Sequence, residues 1–284
     1  MTDRIRYAVG VPNVGIFGDP LLLVDIATAA EEAGWDGFFV WDHILYRDPQ
    51  WHVADPVVVS AAVATCTSRI RFGILVNILA RRRVAKVARE TVTLDRLSGG
   101  RLVVGAGLGS LPAEFEAFGE SADLQTRAAR LDESLAMLEA LWAGKPVSYW
   151  GDQLVVSDVT MLPVPVQKPR IPVWCGGRWP NKAPFRRAAQ WDGMMPLHAQ
   201  YRVGETMPPG ELREIIQYTL KHRTATEPFD VALEGRTDGA APAEAARHVR
   251  AYADAGLTWW IEALGWWRGD VSDAMTRVRQ GPPR

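Results

Sequence analysis

The chain has 284 residues, and its 32 Lys+Arg against 33 Asp+Glu give a formal charge of −1, which argues against a nucleic-acid binder. With 48% hydrophobic and 23% charged residues it has the apolar surface that a disordered chain lacks. Its two cysteines, Cys66 and Cys175, are too few for a disulfide framework or a Cys-based zinc site, which fits a reducing cytosol, and are expected as buried small hydrophobes.

At the start of the chain, Asp3, Arg4 and Arg6 stand where a secretory signal would be apolar. No uncharged apolar run approaches the roughly 18 residues of a membrane span, so a cytoplasmic protein with no membrane partner is expected. Ile5 to Val11 reads as a first strand. Asp19 and Pro20 then signal a helix whose apolar positions Leu22, Ile26, Ala29, Ala30 and Ala33 share a face before Gly34 stops it. Gly37 to Trp41 is a continuous apolar run suited to a strand buried on both faces. Asp55 and Pro56 open a helix to about Thr67, Arg71 to Val76 is a third strand, and Val84, Val87, Ala88, Thr91 and Leu94 mark a helix stopped by Ser98, Gly99 and Gly100. Arg101 to Gly105 is strand four, followed by a short helix near Ala113 to Phe118 and a longer one from Arg127 that ends before Gly144, with Leu131, Leu135, Leu138 and Trp142 on one face.

Pro146 to Arg170 interrupts this grammar as a hairpin around Gly151 and Asp152 with a Pro-punctuated tail. The alternation resumes with strands Ile171 to Cys175, Gly193 to Leu197, Phe229 to Leu233 and Thr258 to Ala263. Their helices fall near Pro184 to Gln190, Pro209 to Arg223, Pro242 to Ala255 and Asp270 to Arg279. Eight strand–helix units imply an α/β parallel sheet with right-handed crossovers. They close naturally as a (β/α)8 TIM barrel, one domain over residues 1–284, with a β-hairpin insertion before strand five. The rival open doubly wound sheet needs G-x-G-x-x-G in its first turn. That turn is Pro12 to Gly15 here, and the later Gly105-Ala-Gly107-Leu-Gly109 has Ser110 where the third glycine belongs.

In such a barrel the chemistry lies at the C-terminal strand ends. Those ends hold Asn13, Asp42, His43, Asn77, the run Gly105, Gly107, Gly109 and Ser110, then Cys175 to Trp179, His198, Glu234, Glu262 and Trp266. Asp42-His43 is the main acid–base candidate, because histidine titrates near neutrality, although a lone histidine is commonly structural. Cys175-Gly176-Gly177-Arg178-Trp179, ahead of Asn181 and Lys182 at a helix start, reads equally as a phosphate grip or as a tight glycine turn. The glycines at 105, 107 and 109 mark either a bulky neighbour pressing on the backbone or tight helix packing. Arg81 to Arg83 reads as an exposed helix start, with an anionic cofactor tail as its alternative partner. His198, Glu262, Trp266 and Trp267 would shape a substrate pocket, but Glu262 reads equally as a satisfied core carboxylate and the tryptophans as packing. The five histidines show no metal-holding spacing, and no Gly-x-Ser-x-Gly elbow supplies a nucleophile. An enzyme that borrows its reactivity from an organic cofactor fits this inventory.

The order of motifs resembles the luciferase-like flavin-dependent monooxygenase family, which includes bacterial luciferase and reductases using the deazaflavin coenzyme F-420. The residues that carry the resemblance are Glu32-Ala-Gly-Trp-Asp-Gly-Phe-Phe-Val-Trp-Asp-His43, Thr67-Ser-Arg-Ile-Arg-Phe-Gly73, Leu94-Asp-Arg-Leu-Ser-Gly-Gly-Arg101 leading to Gly105 through Gly109, Glu114-Phe-Glu-Ala-Phe-Gly119, and Pro172-Val-Trp-Cys-Gly-Gly177. The resemblance implies the same barrel, His43 beside the flavin ring with Asp42 next to it, and a non-prolyl cis peptide at Leu75-Val76 behind the ring. It also implies a phosphate loop at Gly176 and Gly177, and a second cofactor wall at Gly107, Gly109 and Ser110.

Departures limit what carries over. Leu108 stands where bacterial luciferase has a basic residue for flavin phosphate, and Ser110 stands near the catalytic Glu of the glucose-6-phosphate-oxidising deazaflavin enzymes. Only Glu234 to Ala241 replaces luciferase's long insertion after strand seven. The first functional expectation is a monooxygenase in which reduced FMN from a separate flavin reductase, with oxygen, oxidises a small apolar substrate. The second is hydride transfer with coenzyme F-420, with Arg81 to Arg83 near its polyglutamate tail. The third is a non-catalytic flavin carrier. Family members are commonly homodimers.

Overall fold

The computed structural model describes residues 5–284; Asp3 and Arg4 lie outside the described residues. Strands β1 (Arg6–Val11), β2 (Gly37–Val40), β3 (Arg71–Ile78) and β4 (Leu102–Gly107) alternate with α1 (Pro20–Glu32), α2 (Pro56–Cys66) and α3 (Val84–Leu97). The short α4 (Ala113–Glu116) and long α5 (Leu124–Trp142) follow, then the hairpin β5 (Val147–Trp150) and β6 (Val155–Val159). The last half comprises β7 (Val173–Trp179), α6 (Ala183–Ala188), β8 (Gly193–His198), α7 (Pro209–Lys221), β9 (Asp230–Gly235), α8 (Pro242–Ala253), β10 (Trp259–Ala263) and α9 (Val271–Arg279). Eight strands close a barrel in the order β1-β10-β9-β8-β7-β4-β3-β2, with parallel pairing throughout, and β5-β6 stands apart as an antiparallel pair. The open doubly wound sheet is thereby excluded. Among the described residues no helix is long and apolar enough to cross a membrane.

The helix starts follow their caps. Asp19 accepts from Leu21 N, Asp55 from Val57 N and Val58 N, and Asp123 from Thr126 N, each bond worth about 1 kcal/mol. Because Asp123 caps it, α5 starts three residues before the predicted Arg127. Gly34 (φ 88°) and Gly256 (φ 110°) end α1 and α8 in the left-handed region. Glu133 of α5 takes backbone N–H bonds from Asp152, Gln153 and Leu154, which moors the hairpin.

Alternation along each strand separates two cores. Outward residues such as Val9, Phe38 and Val104 pack under the helices, while Ala8, Phe39, Leu75, Val103, Trp174, Met195, Ala232, Trp259 and Ile261 fill the barrel. Phe39, Trp174 and Trp259 plug it, with ring centroids 5.4–6.0 Å apart. Such rings need small neighbours: a Cβ on Gly193 would stand 2.6 Å from Trp174, and one on Gly37 3.0 Å from Trp259. The cysteine expectation is half corrected, since Cys175 is buried but Cys66 is exposed.

Five strands run further than expected. β3 continues to Ile78, β4 to Gly107, β7 to Trp179, β8 to His198 and β9 to Gly235, so Gly107, Gly176 and Gly177 lie within strands. The β3–β4 register shifts between Ile74 and Asn77, and the Leu75-Val76 bond within that bulge is cis.

Candidate active site

The parallel strands bring all their C-terminal ends to one rim. On β2, Phe39 points into the barrel and Val40 outward. Continued alternation brings Trp41 and His43 to the mouth and turns Asp42 away. Asn13, fully buried after β1, clamps this turn. Its Nδ2 donates to His43 O and Ala54 O, each at 2.8 Å, and its Oδ1 accepts from His43 N at 3.1 Å. Both donors are spent inside the protein, so Asn13 positions His43; its expected role as a cofactor ligand is corrected.

Asp42 requires a similar correction. Its carboxylate does not meet His43; it accepts from Ile78 N (2.8 Å), Arg81 Nη2 (2.7 Å) and Arg82 Nη2 (2.7 Å). Burial alone would raise its carboxyl, but the Arg82 and Arg81 guanidiniums outweigh that and hold it below the usual carboxylate range. The arginine run is corrected with it: Arg81 and Arg82 are largely buried ion-pair partners, and only Arg83 is exposed at the start of α3.

The acid that meets His43 is Glu114 of α4. Glu114 Oε2 lies 3.2 Å from His43 Nδ1, while Oε1 accepts from Ile44 N at 2.8 Å and faces Arg81 Nη1 at 3.4 Å. A carboxylate held by these donors can only accept, so the imidazole proton sits on Nδ1 and donates to it. Nε2 is then the basic nitrogen, and it has no protein partner among the described residues. The chain patterning offered no signal for this pair beyond the motif Glu114-Phe-Glu-Ala-Phe-Gly119.

Around His43 the mouth is aromatic. Trp41 lies 5.9 Å from the imidazole and stacks on Trp267 (5.6 Å, 15°), while Tyr46 lies 4.9 Å from the imidazole and stacks on Trp51 (5.4 Å, 8°). Trp266 packs edge-on against Trp41, Tyr46, Trp51 and Trp267, so this expected substrate residue lies beside the histidine. Glu234 of β9 joins the group, accepting from Trp41 Nε1 at 3.1 Å.

Across the barrel, the β3 bulge accounts for the glycines. A Cβ on Gly107 would stand 2.3 Å from Val76 Cγ2, one on Gly176 2.7 Å from Val76 Cγ1, and one on Gly105 2.2 Å from Ile74 O. Gly109 (φ 79°) backs onto Ile78 and Phe115, and Ser110 is exposed beyond it. The bulky neighbour of Gly105 and Gly107 is therefore the protein's own strand β3, while Gly109 meets both β3 and Phe115 of α4. Leu75 is buried in the barrel core, whereas Val76 is partly exposed on top of it. On β7, Trp174, Gly176 and Arg178 share the inward parity, and Gly177 backs onto Pro184 and Phe185 of α6. Arg178 is exposed at the rim with no carboxylate partner among the described residues, and Asn77 Oδ1 is buried without a partner. A planar, phosphorylated cofactor fits this set: an unpaired guanidinium, a bare imidazole nitrogen and an apolar floor at Val76.

Three expected site residues face the helices instead. Trp179 packs on Phe185 and Tyr218 under the Lys182 ammonium, 3.1 Å from the ring centroid. His198 points toward α7, where Nε2 lies 3.7 Å from Glu211. Glu262, completely buried, accepts from Thr237 N and Oγ1 and Trp260 Nε1 and pairs with Arg268 and Arg277, so the core-carboxylate reading holds and the substrate role is corrected. Burial pushes the Cys175 thiol up to about 12, which leaves it inert near neutral pH. Among the described residues no group of three or more His, Cys, Asp or Glu gathers as a metal-ligand set.

Comparison with known proteins places this rim in context. The family model for luciferase-like monooxygenase matches residues 18–207. A coenzyme F-420-dependent glucose-6-phosphate dehydrogenase of Amycolatopsis mediterranei (strain U-32) is 32% identical over 177 residues, 61% of this chain and 52% of that protein. The chain spans about half the length of such curated relatives. Among solved structures, an F-420-dependent secondary alcohol dehydrogenase in complex with an F-420–acetone adduct superposes with a TM-score of 0.80 at 16% identity, covering 99% of this chain and 98% of that one. Monooxygenase RslO1 from Streptomyces bottropensis gives 0.76 at 21% identity, with 97% of each chain covered. At these identities the structural likeness is one of fold.

Proposed function

The chain belongs to the luciferase-like monooxygenase family, and from that premise we propose that it is an oxidoreductase using reduced FMN and oxygen on a small organic substrate. The observation that carries this reading is the pairing, on one rim, of a histidine tied to Glu114 through Nδ1 and an arginine with no carboxylate partner. Bound between them, reduced flavin would supply the electrons that activate oxygen. His43 takes or returns a proton at Nε2, and the Glu114 carboxylate offsets the charge the ring gains. Arg178 holds the cofactor phosphate, Val76 backs the ring, and the tryptophan cluster keeps water from the reacting atoms. A separate flavin reductase would deliver the reduced FMN.

A second reading, hydride transfer with coenzyme F-420, is favoured by the dehydrogenase relative and uses the same residues. Oxygen consumption with reduced FMN, and F-420 turnover, over a panel of small substrates test the proposal in wild type and His43→Ala. The expected loss in the variant is at least about 100-fold, within the range of about 10² to 10⁴ that general acid–base groups contribute. Unchanged turnover would remove His43 from the mechanism, and binding without turnover would reduce the protein to a flavin carrier.

A further inference from the structure

Glu234 is a carboxylate that the proposed chemistry does not use. It lies on β9 with the parity of Ala232, a barrel-interior residue, and so rises into the mouth. Trp41 Nε1 donates to its Oε1 at 3.1 Å, and a Cβ on Gly10 of β1 would stand 3.4 Å from the same oxygen. No Lys, Arg or His pairs with it among the described residues, and its second oxygen has no protein partner. The neighbouring buried carboxylates are all matched: Asp42 by Arg81 and Arg82, Glu114 by Arg81 and His43, Glu262 by Arg268 and Arg277.

Its surroundings are aromatic. Trp41, which holds Glu234, lies 5.9 Å from the His43 ring, stacks on Trp267 and meets Trp266 edge-on. Burial raises the Glu234 carboxyl, and the single Trp41 bond offsets this only in part. A carboxylate among aromatic faces, with one oxygen open and no cation of its own, is complementary to a cation: charge pairing and the ring quadrupoles act in the same direction. A hydroxyl would fill the open hydrogen bond but leave the charge unmatched, and an apolar group would leave both.

We propose that Glu234 is the substrate-recognition group, and that the substrate presents a protonated nitrogen to it against the Trp41–Trp266–Trp267 wall. This rests on the reading of the mouth as the substrate site and replaces the apolar substrate expected from the family resemblance with a small organic amine or amidine.

The test titrates the full-length chain, without added cofactor, with benzylamine, phenethylamine and cyclohexylamine and with the uncharged benzyl alcohol, phenethyl alcohol and cyclohexanol. Tryptophan fluorescence reports binding, because four tryptophans line this region. At least one amine should bind about tenfold or more tightly than its alcohol, the worth of one charge-assisted hydrogen bond. Glu234→Gln should abolish that preference with no loss of Tm and with the affinity for FMN or F-420 kept. Glu234→Asp, which keeps the charge but withdraws it, should weaken the preference without abolishing it, and so serves if the Gln variant does not fold. Equal affinities within each pair, no amine binding at all, or a preference surviving in Glu234→Gln would overturn the proposal. Failure of FMN and F-420 to bind in separate titrations would count against the redox reading alone.

Discussion

His43 Nδ1 lies 3.2 Å from Glu114 Oε2, a contact between residues 71 positions apart in the chain. It joins the turn after β2 to the short helix after β4, and it decides which imidazole nitrogen faces the mouth. The carboxylate next to His43 in sequence, Asp42, faces the other way and holds two arginines.

Replacing Glu114 by Gln should therefore lower kcat without weakening cofactor binding. The loss should be smaller than the roughly 10²- to 10⁴-fold expected for His43→Ala, because the imidazole remains but its proton and orientation are no longer fixed. Steady-state kinetics beside an equilibrium cofactor titration separate the two effects. A rise in cofactor Kd with kcat intact would place Glu114 in binding instead.

Asp42→Asn should destabilise the fold by about 3–5 kcal/mol near pH 7, because it leaves two buried guanidiniums without their anion. The sign with pH follows from the depressed carboxyl: its stabilisation is present above the unfolded pKa of about 3.9 and is lost as pH falls through the folded value. Denaturant unfolding from about pH 7 down to pH 3 should show wild type losing stability on the acid limb and the variant changing less there.

Glu234 has the opposite sign. Its carboxyl is raised by burial, so its contribution is fully present below the unfolded pKa of about 4.3 and is lost as pH rises through the folded value. Glu234→Gln does not titrate and should gain on wild type as pH climbs from about 4 to 8. Parallel stability curves for the two proteins would contradict this.

The contact between Val76 and the glycines can be tested by exchange of volume. Gly107→Ala places a methyl where only 2.3 Å is left to Val76 Cγ2, and should cost about 1–3 kcal/mol. Val76→Ala in the same chain should restore part of that loss, giving a coupling measurable in a double-mutant cycle.

Arg178→Ala should weaken FMN by about 10- to 100-fold, the range of one or two charge-assisted hydrogen bonds. Riboflavin, which lacks the phosphate, should bind both proteins alike. Equal weakening of the two ligands would move the phosphate away from Arg178.

The barrel was legible because its signals are local: caps at Asp19 and Asp55, stops at Gly34 and Gly256, and apolar runs of strand length. Strands look shorter than they are where glycines fall, since Gly105, Gly107 and Gly176 resemble turns although they make room for Ile74 and Val76. Nearness to a strand end marks a residue as a site candidate, whereas parity decides which face it takes. His198 and Glu262 lie at the right height and face the helices, while Glu234 lies at the same height and faces the mouth. Sequence adjacency favoured Asp42 as the partner of His43, but alternating backbone sends neighbours to opposite sides. The Glu114 contact depends on two loops meeting across the rim, which no local pattern encodes.

The most direct test of the account is anaerobic equilibrium titration of the wild-type chain with reduced FMN and with reduced F-420, followed by a crystal structure of whichever complex forms. Saturable binding of at least one, with its ring on Val76, its phosphate at Arg178 and His43 Nε2 facing the ring, is the predicted result. Failure to bind either molecule, or a ring seated away from the rim that carries His43 and Arg178, would contradict it.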